Sequence, residues 1–551
     1  MTELRPAPAR HGPPAQLLPT GSAESPAGAA AESPAGAAES PRSPATTWGV
    51  AAVAAVVMAG VVLRFWARSD LWLDEALTVD IARLPLARLH GALRQDGAPP
   101  LYYVLLHFWM GAFGSTDLAV RALSGFMGVA TLPVAWAGGR RLGGRPVAVA
   151  AVVLLASSPF AVRYSTENRM YALVVLLVAA GAVGLARALE RPSTWRLVLV
   201  GLMTALLLYS HYWSLYLVAT VAVGLAWPAW RGAEAHRRAA RRALVAVALG
   251  VLTFTPWVPT FVFQARHTGT PWAAPADFAA MVNAVTSFAG GPTSQGRALA
   301  LVYFALAGLG LFGLASGPRH VQLDLRTRPP GRPLALAVVG ALALAVVGGY
   351  LTGSAFQARY ASVVLVPLVL LVALGTATFA DPRLRHGVLA AAVAFGLAGS
   401  VPNIWTSRTQ AGQVAATLAG LGRPGDVIGF CPDQLGPAVD RLVPPGRYQM
   451  VTFPRGTGPG LVDWVDYAAA SAAGDPAAFA ARLEAISAPT HQIWLVWAPG
   501  YQTFGTKCEA IENALLADRS LGAQEVFPYK MVVSSWTGYE DMELVRFVHI
   551  G

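Results

Sequence analysis

The stretch WGVAAVAAVVMAGVVLRFWARSDLWLDEAL, residues 48–77, joins an apolar run from Trp48 to Trp66 to an acidic pair, Asp74 and Glu75, just past its end. The run is long enough to cross a hydrocarbon core of ~30 Å. Carboxylates at the lip of a bilayer are costly to bury unless they do chemistry or find a partner. This pairing of a span with exposed acid points to a membrane-embedded enzyme.

Working outward, the whole chain of 551 residues is 55% apolar and 13% charged, with a mean hydropathy of +0.48. That is the composition of an integral membrane protein. Runs of membrane-crossing length recur about eleven times, roughly at 48–66, 118–138, 146–163, 170–188, 197–210, 212–230, 243–263, 297–316, 334–352, 361–379 and 387–404. The net charge of +11 is carried mostly by arginines in short loops between these runs, such as Arg140, Arg141 and Arg145, or Arg237, Arg238, Arg241 and Arg242. The positive-inside rule makes those loops cytoplasmic, which argues against nucleic acid as a partner. It also puts the N-terminus inside, and the Asp74 to Asp96 loop and everything after about residue 405 outside. PPLYYVLLHFWMGAF, Pro99 to Phe113, is apolar but short, and a full crossing there would invert the later loops. It is expected to be an interfacial or re-entrant helix.

Residues 1–46 are rich in Ala, Pro, Ser and Gly and carry the near-repeat AESPAGAA. They are expected to form a disordered cytoplasmic tail, and they lack the pattern of a cleaved signal peptide. Residues 47–405 form the membrane domain. Within its first loop, Leu77, Ile81 and Leu84 stand opposite Asp80 and Arg83, a spacing that predicts an amphipathic helix lying on the outer surface. Residues 406–551 read as a small extracytoplasmic α/β domain. DVIGFCP, YQMVTFP, HQIWLVWAP and MELVRFVHI are strand-like, PAAFAARLEAISA and KCEAIENALLAD helix-like, and their alternation predicts a largely parallel sheet. GTGPG, Gly456 to Gly460, lacks the strand and helix that flank a dinucleotide site and reads as a loop. Cys431 and Cys508 both fall in this domain, where an oxidising compartment would permit a disulfide.

Four clusters on the outer side carry the candidate chemistry. Asp74, backed by Glu75, can take a proton from an attacking hydroxyl; the pair would equally suit a helix start. In YSTENRMYAL, Glu167 and Arg169 are expected to face the same aqueous layer, with the arginine fork suited to phosphate or to an interfacial ion pair. His211 in LLYSHYWSLY is a structural hydrogen-bonder or a substrate contact. Arg359 and Tyr360 in FQARYASVVLVP would hold a lipid phosphate or serve as a headgroup anchor.

The series LWLDEAL, GAPPLYYVLLHFW, YSTENRMYAL, YSHYW and ARYASVVLVP, in this order and on this topology, resembles the GT-C superfamily of polytopic glycosyltransferases. Within it the series looks like the family 39-like bacterial mannosyltransferases, related to protein O-mannosyltransferases and aminoarabinose transferases. The resemblance implies a mainly α, polytopic fold that transfers a sugar, mannose first, from a polyprenyl-phosphate donor to an extracytoplasmic glycan, lipid or protein acceptor, with inversion. It implies that Asp74 is the base, Glu75 and Glu167 are further catalytic carboxylates, and Arg169, Arg359 and Tyr360 hold the donor phosphate. Asp96, Tyr102, Tyr103 and His211 would contact substrate. Relatives often carry His before the paired prolines where this chain has Ala98, so that role is either absent here or taken by Asp96.

A lipid-linked sugar donor needs no nucleotide motif and leaves its tail among membrane lipids. No cofactor is required by this reading, although Asp74 and Glu75 offer oxygen ligands to a divalent cation. A flippase of lipid-linked saccharides is the rival. It would show ionisable residues or broken helices near mid-membrane, whereas the charges here gather at the ends of the spans. A receptor anchored by its membrane part would need only one span.

Overall fold

The computed structural model describes residues 44–269, 277–318, 320–353, 356–487, 490–527 and 540–550. The chain divides into two compact units, Met1–Gly49 and Val50–Gly551. The tail expected over 1–46 lies outside the described residues as far as residue 43, and Pro44 already opens the helix Pro44–Leu63.

Among the described residues, seven helices are long and apolar enough to cross a membrane. The remaining expected runs coincide with shorter apolar helices such as Thr194–Ser210 or with Ser214–Arg231. The runs near 118–138 and 146–163 are two arms of one 40-residue helix, Asp117–Ala156, whose backbone leaves helical geometry at Gly143 and Gly144. Gly144 has φ of +71°, a left-handed conformation that an L side chain rarely adopts. Apolar helices gain little from hydrophobicity inside a lipid, so close packing must hold them together. A Cβ on Gly375 would stand 1.9 Å from the Leu306 carbonyl oxygen and one on Gly310 2.2 Å from that of Leu371. The helices Ser294–Phe312 and Leu365–Thr376 therefore meet backbone to backbone.

The Asp74 segment differs from the single surface helix expected. It forms two helices, Leu73–Arg83 and Leu86–Asp96, because Pro85 between them has no N–H to continue the first. The first is not a surface helix: Leu73, Glu75, Ala76, Leu77, Thr78, Val79, Ile81 and Ala82 are all buried. It is covered on one side by the short helix Leu101–Phe113 and on another by the C-terminal helix Gly436–Asp440.

The C-terminal region holds a five-stranded sheet. After a two-stranded hairpin between membrane helices, β1 Gly313–Gly317 and β2 His320–Leu323, its strands are β3 Val427–Cys431, β4 Gln449–Thr452, β5 Ile493–Trp497, β6 Leu521–Phe527 and β7 Glu543–His549. Their spatial order is β4-β3-β5-β7-β6. β3 and β5 are buried at every position, as central strands covered on both faces should be. β3 pairs in parallel with β4 and β5, whereas β7 runs antiparallel to both β5 and β6, so the sheet is mixed rather than largely parallel. The reason lies at the start of β7: Glu540 is bridged to Thr409, and Glu543 then enters opposite Trp497 at the far end of β5, which forces β7 to run backward. Cys431 and Cys508 form a disulfide with Cα atoms 5.4 Å apart.

Among the ties that join this region to the helices are Arg408, which bonds Ser69 and Thr166, Asp466, which pairs with His267, and three further contacts. Arg441 donates to the Asp117 carboxylate at 2.8 Å and to the Ser115 carbonyl, Trp464 N–H reaches the Gln95 carbonyl, and Glu540 reaches Leu73.

Candidate active site

Asp74 and Glu75 are neighbours on a helix, so their side chains leave it about 100° apart. They consequently meet different surroundings. Glu75 has no exposed surface and turns into the protein. Arg121 grips it with two parallel bonds, Nε to Oε1 at 2.7 Å and Nη2 to Oε2 at 2.6 Å. Asn168 N–H donates to Oε1 at 2.9 Å, and Arg408 stands 3.4 Å from Oε2. Burial alone would raise the Glu75 pKa; the charges and hydrogen bonds of Arg121, with Arg408 and Asn168, instead pull it down to about 2. This carboxylate is permanently ionised and fixed.

Asp74 faces the opposite way and keeps some exposure. Its Oδ2 lies 3.4 Å from Arg359 and 3.9 Å from Arg169. Arg169 also donates to Thr78 Oγ1 at 2.9 Å and to the Tyr103 hydroxyl at 3.2 Å, and that hydroxyl in turn donates to Asp96 Oδ2 at 2.6 Å. Asp74, Arg359, Arg169, Tyr103 and Asp96 therefore form one connected polar group. Burial raises the Asp96 pKa, against the pull of Arg169 and the Tyr103 hydroxyl and with the repulsion of Asp74. Two guanidinium forks thus converge beside Asp74, an arrangement that suits an anion with several oxygens.

The helices bring these groups together at their ends. Arg169 precedes the helix Tyr171–Glu190, His211 follows Thr194–Ser210, and Arg359 opens the segment Ala358–Thr376. His211 sits between the rings of Tyr171 and Tyr360, with centroids 5.8 and 5.3 Å away. Its Nδ1 accepts a hydrogen bond from Trp213 N–H at 3.1 Å. Burial, then the charges of Arg169 and Arg359, push its pKa down to about 3. The ring is neutral with its hydrogen on Nε2, which makes it a donor rather than a base.

The other expected residues fall elsewhere. Glu167 does not face an aqueous layer: it is fully buried and ion-paired with Arg163. Tyr102 is buried and bonds Ser124 and Asn168, so it braces the Glu75 side. Tyr360 packs against His211 with the ring planes tilted by 50° and lies with its ring 5.7 Å from the Arg359 guanidinium. Sequence reasoning missed Arg121, Arg408 and Glu540. Arg121 had a readable signal, since an arginine a few residues into an apolar span is a site candidate by default; the other two had none. The Asp74–Glu75 pair does not fit a cation held by both side chains, because guanidinium and amide donors occupy Glu75 and arginines flank Asp74.

A cavity of about 410 Å³ runs among the membrane helices, lined by apolar side chains including Leu207, Leu217, Val221 and Leu370, and reaching Arg141. None of the carboxylates named above lines it. Its Leu207 end lies one helical turn from His211.

The polytopic helical body with its small C-terminal sheet is a fold shared with solved structures that include ArnT. Within it, residues 97–259 match the family model described as dolichyl-phosphate-mannose-protein mannosyltransferase. Among solved structures, ArnT from Cupriavidus metallidurans in the apo state is 14% identical, with a TM-score of 0.56 over 92% of this chain and 98% of that one. The same protein bound to undecaprenyl phosphate is 13% identical, with a TM-score of 0.53 over 91% and 98%. The arabinofuranosyltransferase AftD from Mycobacteria is 14% identical, with a TM-score of 0.49 over 91% of this chain and 42% of its own. No curated protein matches the chain.

Proposed function

We propose that this protein is a membrane glycosyltransferase that moves a sugar, with inversion, from a polyprenyl-phosphate donor to an extracytoplasmic acceptor, with Asp74 as general base. The observation that carries the reading is Asp74 set between Arg359 and Arg169 at 3.4 and 3.9 Å, one carboxylate beside two phosphate-binding forks. The acceptor hydroxyl attacks the anomeric carbon as Asp74 takes its proton. The bond from that carbon to the phosphate oxygen breaks, and the charge growing on the departing polyprenyl phosphate is met by Arg169 and Arg359 in a partly buried site, where it is worth more than in water. His211 Nε2–H and Tyr360 border the same position. Glu75 and Glu167 act from within the protein, the first by fixing the helix that carries Asp74.

The apolar cavity beside His211 suits the prenyl tail, and the undecaprenyl phosphate bound by ArnT supports a lipid-linked donor. Mannose is the leading sugar, on the description of the matched family model; arabinofuranose and aminoarabinose follow. The acceptor is a glycan, lipid or protein. The arginine-rich loops and the disulfide favour a cytoplasmic N-terminus and an outer domain over residues 406–551.

The test is sugar transfer by membranes containing the wild type or Asp74→Asn, with radiolabelled polyprenyl-phosphate mannose and a mixed acceptor pool. Asn keeps the shape without the basicity, so incorporation should fall about a hundredfold or more. Equal incorporation by the two proteins would remove Asp74 as the base.

A further inference from the structure

The helix Leu73–Arg83 has no side-chain cap from its own flank: Trp72 stands at its N-cap position and makes no such bond. The first amide of a helix has no partner within the helix and must be satisfied from outside. Here the partner comes from 467 residues away, where Glu540 Oε1 accepts from Leu73 N–H at 2.9 Å. Glu540 is itself held by a short ladder. Its N–H donates to the Arg408 carbonyl at 3.0 Å and its carbonyl accepts from Gln410 N–H at 3.1 Å, while Gln410 Oε1 takes the Met542 N–H. One strand of this ladder carries Arg408, which reaches Glu75; the other carries Glu540, which reaches Leu73.

We propose that Glu540 is a positioning residue of the site, holding the first peptide of the helix that carries Asp74 and so setting where that carboxylate stands. The proposal rests on the functional reading of Asp74, though the clamp itself does not. Glu540 is 3% exposed. The charged groups that act on it are Asp74 and Glu75 on the clamped helix, with Arg408 and Asp541 on the ladder. Burial, opposed by the Thr409 hydroxyl and the Leu73 amide and reinforced by Asp74 and Glu75, lifts the Glu540 pKa to about 8. Glu540 therefore works as the neutral acid at pH 7. Since its pKa is raised on folding, the stability linked to its protonation is complete below the ordinary glutamate range and falls as pH rises through about 8, when desolvation and the charges of Asp74 and Glu75 strain the clamp although the Leu73 amide still bonds the carboxylate.

The experiment is hydrogen exchange by mass spectrometry on peptides covering residues 71–77 of the full chain in nanodiscs, for the wild type, Glu540→Ala and Glu540→Gln, at pH 6.5 and 9 and corrected for intrinsic rates. Gln keeps an accepting oxygen but cannot ionise. At pH 6.5 the alanine variant should exchange about tenfold faster than the wild type, the scale of one lost hydrogen bond, with Gln restoring protection. At pH 9 the wild type should approach the alanine variant while the Gln variant holds. Equal protection of wild type and alanine variant at pH 6.5, or the same pH response in wild type and Gln variant, would overturn the proposal. Sugar transfer by the same samples separates the two readings. An alkaline limb near pH 8 that Gln removes supports both, whereas the exchange pattern without transfer by any variant leaves the clamp standing and the glycosyltransferase reading fallen.

Discussion

Replacing Arg121 by Met should be among the most damaging single changes outside the reacting groups. It removes two charge-assisted bonds of 2.7 and 2.6 Å from a carboxylate with no exposed surface. Glu75 would keep only the Asn168 amide at 2.9 Å and Arg408 at 3.4 Å. Removing one partner of a buried ion pair costs about 3–5 kcal/mol, because the surviving charge is left uncompensated. The Glu75 pKa points the same way: against burial, Arg121 with Arg408 and Asn168 holds it down to about 2, so the ionised pair contributes to stability at neutral pH. The sign follows from the depressed acid. The stabilisation is present above pH 4.5 and is lost as pH falls through about 2. The assay is unfolding in mixed micelles titrated with dodecyl sulfate and followed by tryptophan fluorescence. Arg121→Met should lose about 3–5 kcal/mol, and adding Glu75→Gln to the same chain should restore a substantial part, since the buried charge is then gone. A loss below about 1 kcal/mol, the scale of an exposed pair, would refute the reasoning. So would a double variant whose loss equals the sum of the two single losses.

Arg169→Lys and Arg359→Lys keep the charge but not the fork. Each should raise the KM for donor about tenfold or more, as expected for a lost charge-assisted hydrogen bond, while unfolding midpoints change little. His211 stays neutral down to about pH 3, so His211→Gln should lower kcat/KM without changing the shape of the rate profile between about pH 5 and 8; a limb near the ordinary histidine pKa that disappears in the variant would contradict this.

The parts of the fold that were legible in the sequence are those written in local patterns. β3 and β5 could be read because VIGFC and IWLVW are buried on both faces and so carry unbroken apolar runs. Asp74, Arg169, His211 and Arg359 could be read because each is polar at the end of an apolar helix. Glu167 was misplaced for the same reason: a charged residue in a loop suggests water, yet Arg163 one helical turn away pairs with it inside the protein. The distinct fates of Asp74 and Glu75 follow from helical geometry once the helix is placed, but which side faces the site does not. Arg408 and Glu540 could not be found locally, since their partners lie 333 and 467 residues away. The mixed sheet was missed because the bridge from Glu540 to Thr409, which precedes β7, is itself long-range.

The tie from Glu540 to Leu73 also sets an order of events in biosynthesis. Glu540 is made 467 residues after Leu73, which at about 5–20 residues per second is roughly 25–90 s later. During that interval the membrane helices can be inserted while the helix bearing Asp74 still has an open first turn, whereas Arg408 is made 132 residues before Glu540. A chain that stops upstream of Glu540 therefore leaves the first turn of that helix without its distant partner.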